Sequence, residues 1–436
     1  MAKKLRRSLV TPIAKFVKIE SLSGVLLFTA TIAALIWANS PYATSYQKIW
    51  THHIGFEIGS FELSKPLSLW VNDGLMAIFF FLIGLEIKRE ILLGELNSLK
   101  KASLPIFAAV GGVFIPIGLF LFLNKDSMTA DGWGIPMATD IAFSLAILQL
   151  LGDRVPLSLK IFLTAFAIVD DLMAVLAIAI FYSHHIDWVL IGYALLVLLV
   201  LVALSARRYF NMYIYTLCGT LVWLLFLKSG IHPTIAGVLV ALIIPIRRKH
   251  PLKDSLEDLD DFTKKLHRTS NDGGEMLSKR QLYLMDGLQD WITNAQSPLQ
   301  QLEHNLHGWV AYFIIPIFAF ANSGIPLSGS NTGDMSLAIN LALALLIGKS
   351  LGVISFSFLG VKLGLAALPK GIRFKHIVGV SLLAGVGFTM AIFIANLAFE
   401  EEPNFIELSK LGILSGSLIA GLLGYLFLRF TTSKEG

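Results

Sequence analysis

The sequence predicts an all-α membrane protein of twelve transmembrane helices. Three observations carry this: an apolar composition, a series of apolar segments of spanning length, and basic residues confined largely to one side. Of 436 residues, 55% are hydrophobic and 15% charged, with a mean hydropathy of +0.71. A soluble domain of this length needs far more charge. Cys218 is the single cysteine, which excludes an internal disulfide or a cysteine-based metal site. Lys3-Lys4 and Arg6-Arg7 run into polar residues rather than a short apolar core with a cleavage site, so no removable signal peptide is expected.

A spanning helix needs about 20 mostly apolar residues. Such segments fall at about 21–39, 69–86, 104–123, 133–151, 161–182, 188–205, 211–228, 231–246, 308–324, 336–358, 377–398 and 411–429. With both termini cytoplasmic, the outer side receives Lys48, Lys65, Lys125, Lys228 and Lys410, and Lys349 lies inside span 10. The rest of the 35 Lys and Arg residues fall on the cytoplasmic side, as the positive-inside rule requires. The net charge of +5 is thereby explained without a nucleic-acid partner. Trp37, Trp133, Trp188 and Trp309 sit near span ends, where an aromatic belt belongs. The chain reads as a single polytopic domain, 1–436, with one long cytoplasmic loop at about 247–305. Within that loop Leu256, Leu259, Phe262 and Leu266, then Leu282, Met285, Leu288 and Trp291, recur at helical spacing among charges. Both stretches suit amphipathic helices at the interface.

Four ionisable groups fall near span centres: Asp140 in span 4, Asp170 and Asp171 in span 5, and Lys349 in span 10. Each costs about 2.5–3.5 kcal/mol at a helix centre. For span 5 the two acids cost about 5–7 kcal/mol, against about 4–7 kcal/mol returned by its Leu, Ile, Phe and Val residues. A span this near break-even does not keep two adjacent acids for packing. A structural ion pair with Lys349 needs one acid, and three are present, so a cation or protons must supply the balancing charge. Neighbours on a helix point about 100° apart. One of Asp170 and Asp171 can therefore meet Lys349 while the other faces an ion cavity with Asp140 and the Thr139 hydroxyl. Such oxygens suit a small hard cation. Close carboxylates titrate together, so cation entry should displace protons.

Span 4 contains Gly134-Ile135-Pro136-Met137-Ala138-Thr139-Asp140, and Pro136 should open the helix. Span 11 contains Gly385-Val386-Gly387-Phe388-Thr389, a second weak point, although such glycines also serve close packing. Thr139 to Phe143 and Thr389 to Phe393 share a Thr-x-x-x-Phe pattern, in spans that cross in opposite directions. The expected architecture is therefore an inverted repeat with two broken, crossing helices, 4 and 11, and the binding site at the repeat interface. An acid suits an exposed helix amino end and a lysine a carboxyl end, the roles expected of Asp140 and Lys349.

The runs Ala138-Thr139-Asp140-Ile141-Ala142-Phe143, Ala167-Ile168-Val169-Asp170-Asp171-Leu172, Leu346-Ile347-Gly348-Lys349, Gly84-Leu85-Glu86-Ile87-Lys88-Arg89-Glu90 and Gly385 to Phe393 resemble those of the NhaA family of bacterial sodium/proton antiporters. The likeness extends over nearly the whole chain. That family is itself a known case of inverted repeats with broken helices. The resemblance implies electrogenic export of Na+ or Li+ against external protons, activation at alkaline pH, a part in pH and sodium homeostasis, an inner-membrane location and no cofactor. It also implies that Asp171 and Asp140 hold Na+, that Asp170 pairs with Lys349, and that Thr139 sits on the extended part of span 4. A pH-responsive cluster at the cytoplasmic funnel would comprise Glu86, Arg89, Glu90, Glu303, His304 and His307, with His232 as a further pH-response residue. Segment 40–68 would form the contact of a homodimer, in membrane lipid. Loop 247–305 is longer than the short link the family leads one to expect.

Three other classes fit less well. An intramembrane aspartyl protease, the enzyme alternative, needs a separate Gly-x-Gly-Asp helix and has no use for Lys349. A sodium-coupled symporter needs polar groups for an organic substrate, and few are present. A passive channel needs a ring or filter. The reading is a transporter, not an enzyme.

Overall fold

The computed structural model describes residues 22–432 except 59–60, 184–185, 208, 248–258, 260–262, 266–275, 277 and 327–334. All twelve expected spans are helical. In chain order they are α1 (Leu22–Ala38), α2 (Leu67–Leu93), α3 (Leu99–Leu123), α4 (Ala130–Leu150), α5 (Leu157–Phe181), α6 (Trp188–Ala206) and α7 (Met212–Ser229), followed by α8 (Thr234–Ile243) and α9 (298–322). The last three are α10 (Ser336–Lys362), α11 (Phe374–Ala384 with Phe388–Ala398) and α12 (Pro403–Thr431). Eight are long and apolar enough to cross a bilayer; α11 is bent by 43° at its break, and α1 turns through 114° into the helix Ala43–Thr51.

The two remaining spans depart from the simple pattern for local reasons. α8 is only 10 residues long, because Pro233 and Pro245 bracket it and neither continues a helix. Lys88 of α2 donates to its terminal carbonyls at Leu242 (2.7 Å) and Ile244 (2.5 Å). α9 is interrupted by a wide, π-type turn at Val310–Ile314, and α2 opens with another at Trp70–Leu75.

Position in the bundle follows composition. α5, with the paired acids, is mostly buried, with Phe162, Phe166, Asp170, Asp171 and Ile178 all enclosed. α6 turns Leu195, Leu196 and Leu199 outward, as a lipid-facing helix does. Close packing uses glycine: a methyl group at Gly352 of α10 would lie 2.0 Å from the Gly111 carbonyl of α3, so these backbones meet as small-residue membrane helices do.

One feature lies outside the all-α expectation. The strands β1 (His53–Ile58) and β2 (Phe61–Pro66) pair antiparallel as a hairpin, with His53 opposite Pro66 and Ile58 opposite Phe61. The alternation of Ile54, Phe56 and Ile58 was the available signal. Trp70 ties the hairpin to α2 through the Ile54 carbonyl at 2.8 Å, and Lys65 does so through Asp73 at 3.1 Å. In the long loop, the second amphipathic stretch is the helix Lys279–Ala295, started by a Ser278/Gln281 capping box. The first stretch falls largely outside the described residues, as do Lys3-Lys4 and Arg6-Arg7.

Candidate ion-binding site

The two broken helices cross in the middle of the bundle. α4 is a tightly wound turn over Ala130–Met137, extended at 138–140, and an α-helix from Ile141. The opening thus falls just after Pro136 rather than at it: the tight turn carries the proline, and Ala138 is the first extended residue. α11 stops at Ala384 and restarts at Phe388, with Gly385 and Gly387 on either side of the break. The glycines are needed here for close approach. A methyl group at Gly385 would lie 2.7 Å from the Leu345 carbonyl of α10, and one at Gly387 2.9 Å from the Ala138 carbonyl.

Each helix end opened by the crossing is met by a named group. The Asp140 amide donates to the Val386 carbonyl (2.7 Å), joining the two breaks. The Asp140 carboxylate accepts from the Phe143 amide (3.0 Å), capping the second half of α4. It also accepts from the Thr389 amide (3.1 Å) and hydroxyl (2.6 Å), at the start of the second half of α11. One acid thereby faces two amino ends, where negative charge is favoured. At the carboxyl ends, Thr139 donates to Ala384 (3.0 Å) and Ser144 to Leu383 (2.9 Å). Lys349 donates to the Met137 carbonyl, which ends the first half of α4.

Lys349 is fully buried and binds both Asp170 oxygens, at 2.8 and 2.9 Å. Asp171, one residue on, points elsewhere. It lines a cavity of about 50 Å³ with Asp140, Thr139, Thr164, Thr389, Glu86 and His307. Its Oδ1 is buried and has no hydrogen-bond partner among the described residues. An orphaned carboxylate oxygen beside a second carboxylate and hydroxyls fits a small hard cation or a proton.

The expected funnel residues divide. Arg89 bridges Glu303 (2.9 Å) and Glu90 (3.0 Å), and His307 Nδ1 lies 3.7 Å from Glu86. Glu86 and His307 also line the cavity, so this cluster and the carboxylate site are continuous. Glu303 lies on the polar first part of α9 (Pro298–Trp309), ahead of its apolar segment at 308–324; burial pushes its carboxyl up to about 7, against the pull of Arg89. His304 is exposed. His232 is not in this cluster. It sits at the opposite end, 3.8 Å from Asp73, with its ring edge-on to Phe393.

Sequence reasoning used Thr389 only as a marker of the repeat, yet it donates twice to Asp140. The shared Thr-x-x-x-Phe pattern was the signal, since a threonine that mirrors Thr139 across an inverted repeat should reach the same crossing.

The sequence matches the family described as Na+/H+ antiporter 1 over residues 14–428. It is 47% identical over 430 residues to the Na(+)/H(+) antiporter NhaA of Oleidesulfovibrio alaskensis, covering 97% of this chain and 94% of that one. The NhaA of Helicobacter pylori strain HPAG1 is 43% identical over 428 residues, covering 98% and 97%. That of Bacteroides fragilis is 43% identical over 427 residues, covering 95% and 96%. With twelve helical spans, two of them broken and crossing at a buried carboxylate, and with matches of this length, the chain belongs to the Na+/H+ antiporter 1 family.

Proposed function

We propose that this chain is a secondary antiporter of the bacterial inner membrane that exports Na+ or Li+ in exchange for external protons, electrogenically, and so serves pH and sodium homeostasis. Its basic face and both termini are cytoplasmic on this reading. The observation that carries the proposal is the Oδ1 of Asp171, unpartnered among the described residues, in a small cavity beside Asp140. The charge on Asp170 is met by Lys349, and that on Asp140 by amides at two helix ends. Among the described residues no such group meets the Asp171 Oδ1. Burying it unpaired is costly, so the closed site holds either protons or a cation there.

Exchange follows from that alternative. Na+ between Asp140 and Asp171, with Thr139 near, displaces the protons those acids carried; after its release they reload. Two protons against one Na+ move net charge. The crossing helices give the site access to one face at a time as the halves rock. Glu86, Arg89, Glu90, Glu303 and His307 act as the pH-responsive entrance. His304, exposed beside them, and His232, at the far end, are further pH-response residues. The unpaired edges of the 53–66 hairpin suit pairing with a second copy, in keeping with a homodimer in membrane lipid.

In everted vesicles, added sodium should collapse a preformed pH gradient with no organic solute present. In liposomes, a sodium gradient should generate a membrane potential. Exchange that ignores imposed voltage and generates none would remove the electrogenic part; no sodium response at all would remove the antiporter reading.

A further inference from the structure

The path from the site to the outer face is closed in two layers built from the same three helices. Phe80 of α2, Phe318 of α9 and Phe393 of α11 form the first. The Phe393 ring lies 5.4 Å from Phe80 and 6.3 Å from Phe318, and all three are buried. One or two turns further out, each helix presents an asparagine. Asn322 of α9 donates to the Asn72 side-chain oxygen (Oδ1) of α2 at 2.9 Å and to the Phe318 main-chain carbonyl at 3.0 Å. Its own side-chain oxygen accepts from Asn396 of α11 at 2.8 Å.

Amides are an expensive way to seal apolar helices. They tolerate burial only while bonded, and apolar side chains would close the gap more firmly. Their merit is that an amide–amide bond exchanges for bonds to water at small net cost, which suits a contact that opens. The surroundings say which part moves. α2 is tied to the hairpin through Asp73 and to α7 through Trp223, which donates to the Asp73 carbonyl at 3.0 Å. The end of α9 is pinned by Tyr46, whose hydroxyl donates to Phe320 (2.6 Å) and accepts from the Gly324 amide (3.2 Å). The second half of α11 begins at the break. Asn72 and the 310–314 stretch of α9 lie in two of the three wide turns among the described residues, the third being Ala344–Gly348 before Lys349, a distortion frequent at functional sites.

We propose that Asn322 and Asn396, with Asn72 holding Asn322 in place, form the outer gate of the transport path, and that their amides part and line the exit when α11 swings. This rests on the transport reading above, and its first test does not depend on transport. In a Cys218→Ala background, Met390→Cys places a thiol on the ion cavity. A charged, membrane-impermeant thiosulfonate is applied to right-side-out and to everted vesicles. Adding Asn322→Ala or Asn396→Ala should raise labelling from the outside about fivefold or more and lower it from the inside, the population shift expected when the closed state loses a contact. Unchanged labelling from both sides, even with reduced heat stability, overturns the gate and leaves a packing role.

The second test joins Asn322→Cys to Asn396→Cys with a short bifunctional thiosulfonate. Cross-linking should cut sodium-driven exchange about tenfold relative to the same variant before linking, with recovery after dithiothreitol. Linked protein exchanging at the unlinked rate overturns the proposal. A Cys218→Ala parent that does not exchange Na+ for protons overturns the transport reading instead, and labelling still decides the gate.

Discussion

The same three helices, α2, α9 and α11, run past the carboxylates in both directions, and they present opposite chemistry on the two sides. Towards the basic face, α2 and α9 offer Glu86, Arg89, Glu303 and His307 around a cavity that reaches Asp171. Towards the other face they offer Phe80 and Phe318, then Asn72 and Asn322, packed and mutually bonded with α11. On the first side the charges are paired, Arg89 with both Glu303 and Glu90, beside a cavity; on the second, neutral amides satisfy one another without water. On the transport reading proposed above, one side must be open and one shut at any moment, and that reading assigns the charged side as open and the amide side as shut. The Asp140–Thr389 and Asp170–Lys349 contacts lie at the boundary between them.

The largest expected effect comes from the acid that faces the open side without a partner. Asp171→Asn should reduce sodium-driven proton exchange about 100-fold or more, because neither the cation nor the exchanged proton keeps its ligand. Asp140→Asn should weaken sodium binding more than it slows turnover, since the introduced amide oxygen would still accept from the Thr389 hydroxyl. Both proteins should fold, because removing a buried charge relieves its desolvation cost. Transport in everted vesicles, with detergent-solubilised protein assayed for monodispersity, separates loss of activity from loss of fold. Wild-type exchange by Asp171→Asn would falsify the site.

How much of this was legible in the sequence differs between the two sides for a physical reason. A charge inside an apolar span costs several kcal/mol, so Asp140, Asp170, Asp171 and Lys349 stand out with no structure. The Asp170–Lys349 contact is one of two pairings the 100° rule allows, and the structure shows which forms. The asparagines do not stand out. An Asn near a span end is ordinary, and only three-dimensional convergence gives Asn72, Asn322 and Asn396 a meaning. The wide turns in α2 and α9 also escape a sequence reading, since a one-residue insertion in helical winding leaves the apolar pattern almost intact. The 53–66 hairpin is hard to see because its strands are short and lie between spans. Resemblance of role groups His232 with the funnel histidines; its position on the chain, just after the end of α7 that lies away from the basic face, already points to the other side.

A smaller effect probes the boundary itself. Asp170→Asn or Lys349→Gln alone leaves a fully buried partner uncompensated, at a cost of about 3–5 kcal/mol. Lys349→Gln also weakens the bond that closes the carboxyl end at Met137. The double variant should melt above the temperature that the two single losses predict together. Strictly additive losses would mean that the pair is not coupled in the membrane. A coupled pair would sharpen the comparison, since the lysine would then fasten the broken helix as well as the acid beside it.

The smallest effect lies on the open side. Glu303, pushed up to about 7 by burial against the pull of Arg89, is protonated below that pH, leaving Arg89 to Glu90. As pH rises through about 7 it ionises, and Arg89 is clamped between two carboxylates. The sign for stability follows. An acid raised from 4.5 contributes stability that is full below that value and is lost as pH climbs to about 7. Glu303→Gln should therefore match the parent's melting behaviour near the lower value and lose that part of its pH dependence between the two. If the clamp also opens the entrance, the variant stays in the low-pH arrangement. Its activity–pH curve should then move about one unit alkaline at saturating sodium, within the usual reach of a single perturbed group. Simple competition between protons and sodium at Asp140 and Asp171 gives a different pattern: more sodium moves every curve to lower pH, and Glu303→Gln tracks the parent. Because Glu86 and His307 share the cavity with Asp171, both contributions should appear, with competition setting most of the slope. Coincident curves for Glu303→Gln and the parent at saturating sodium would leave the open side with no sensor beyond the ion-binding acids.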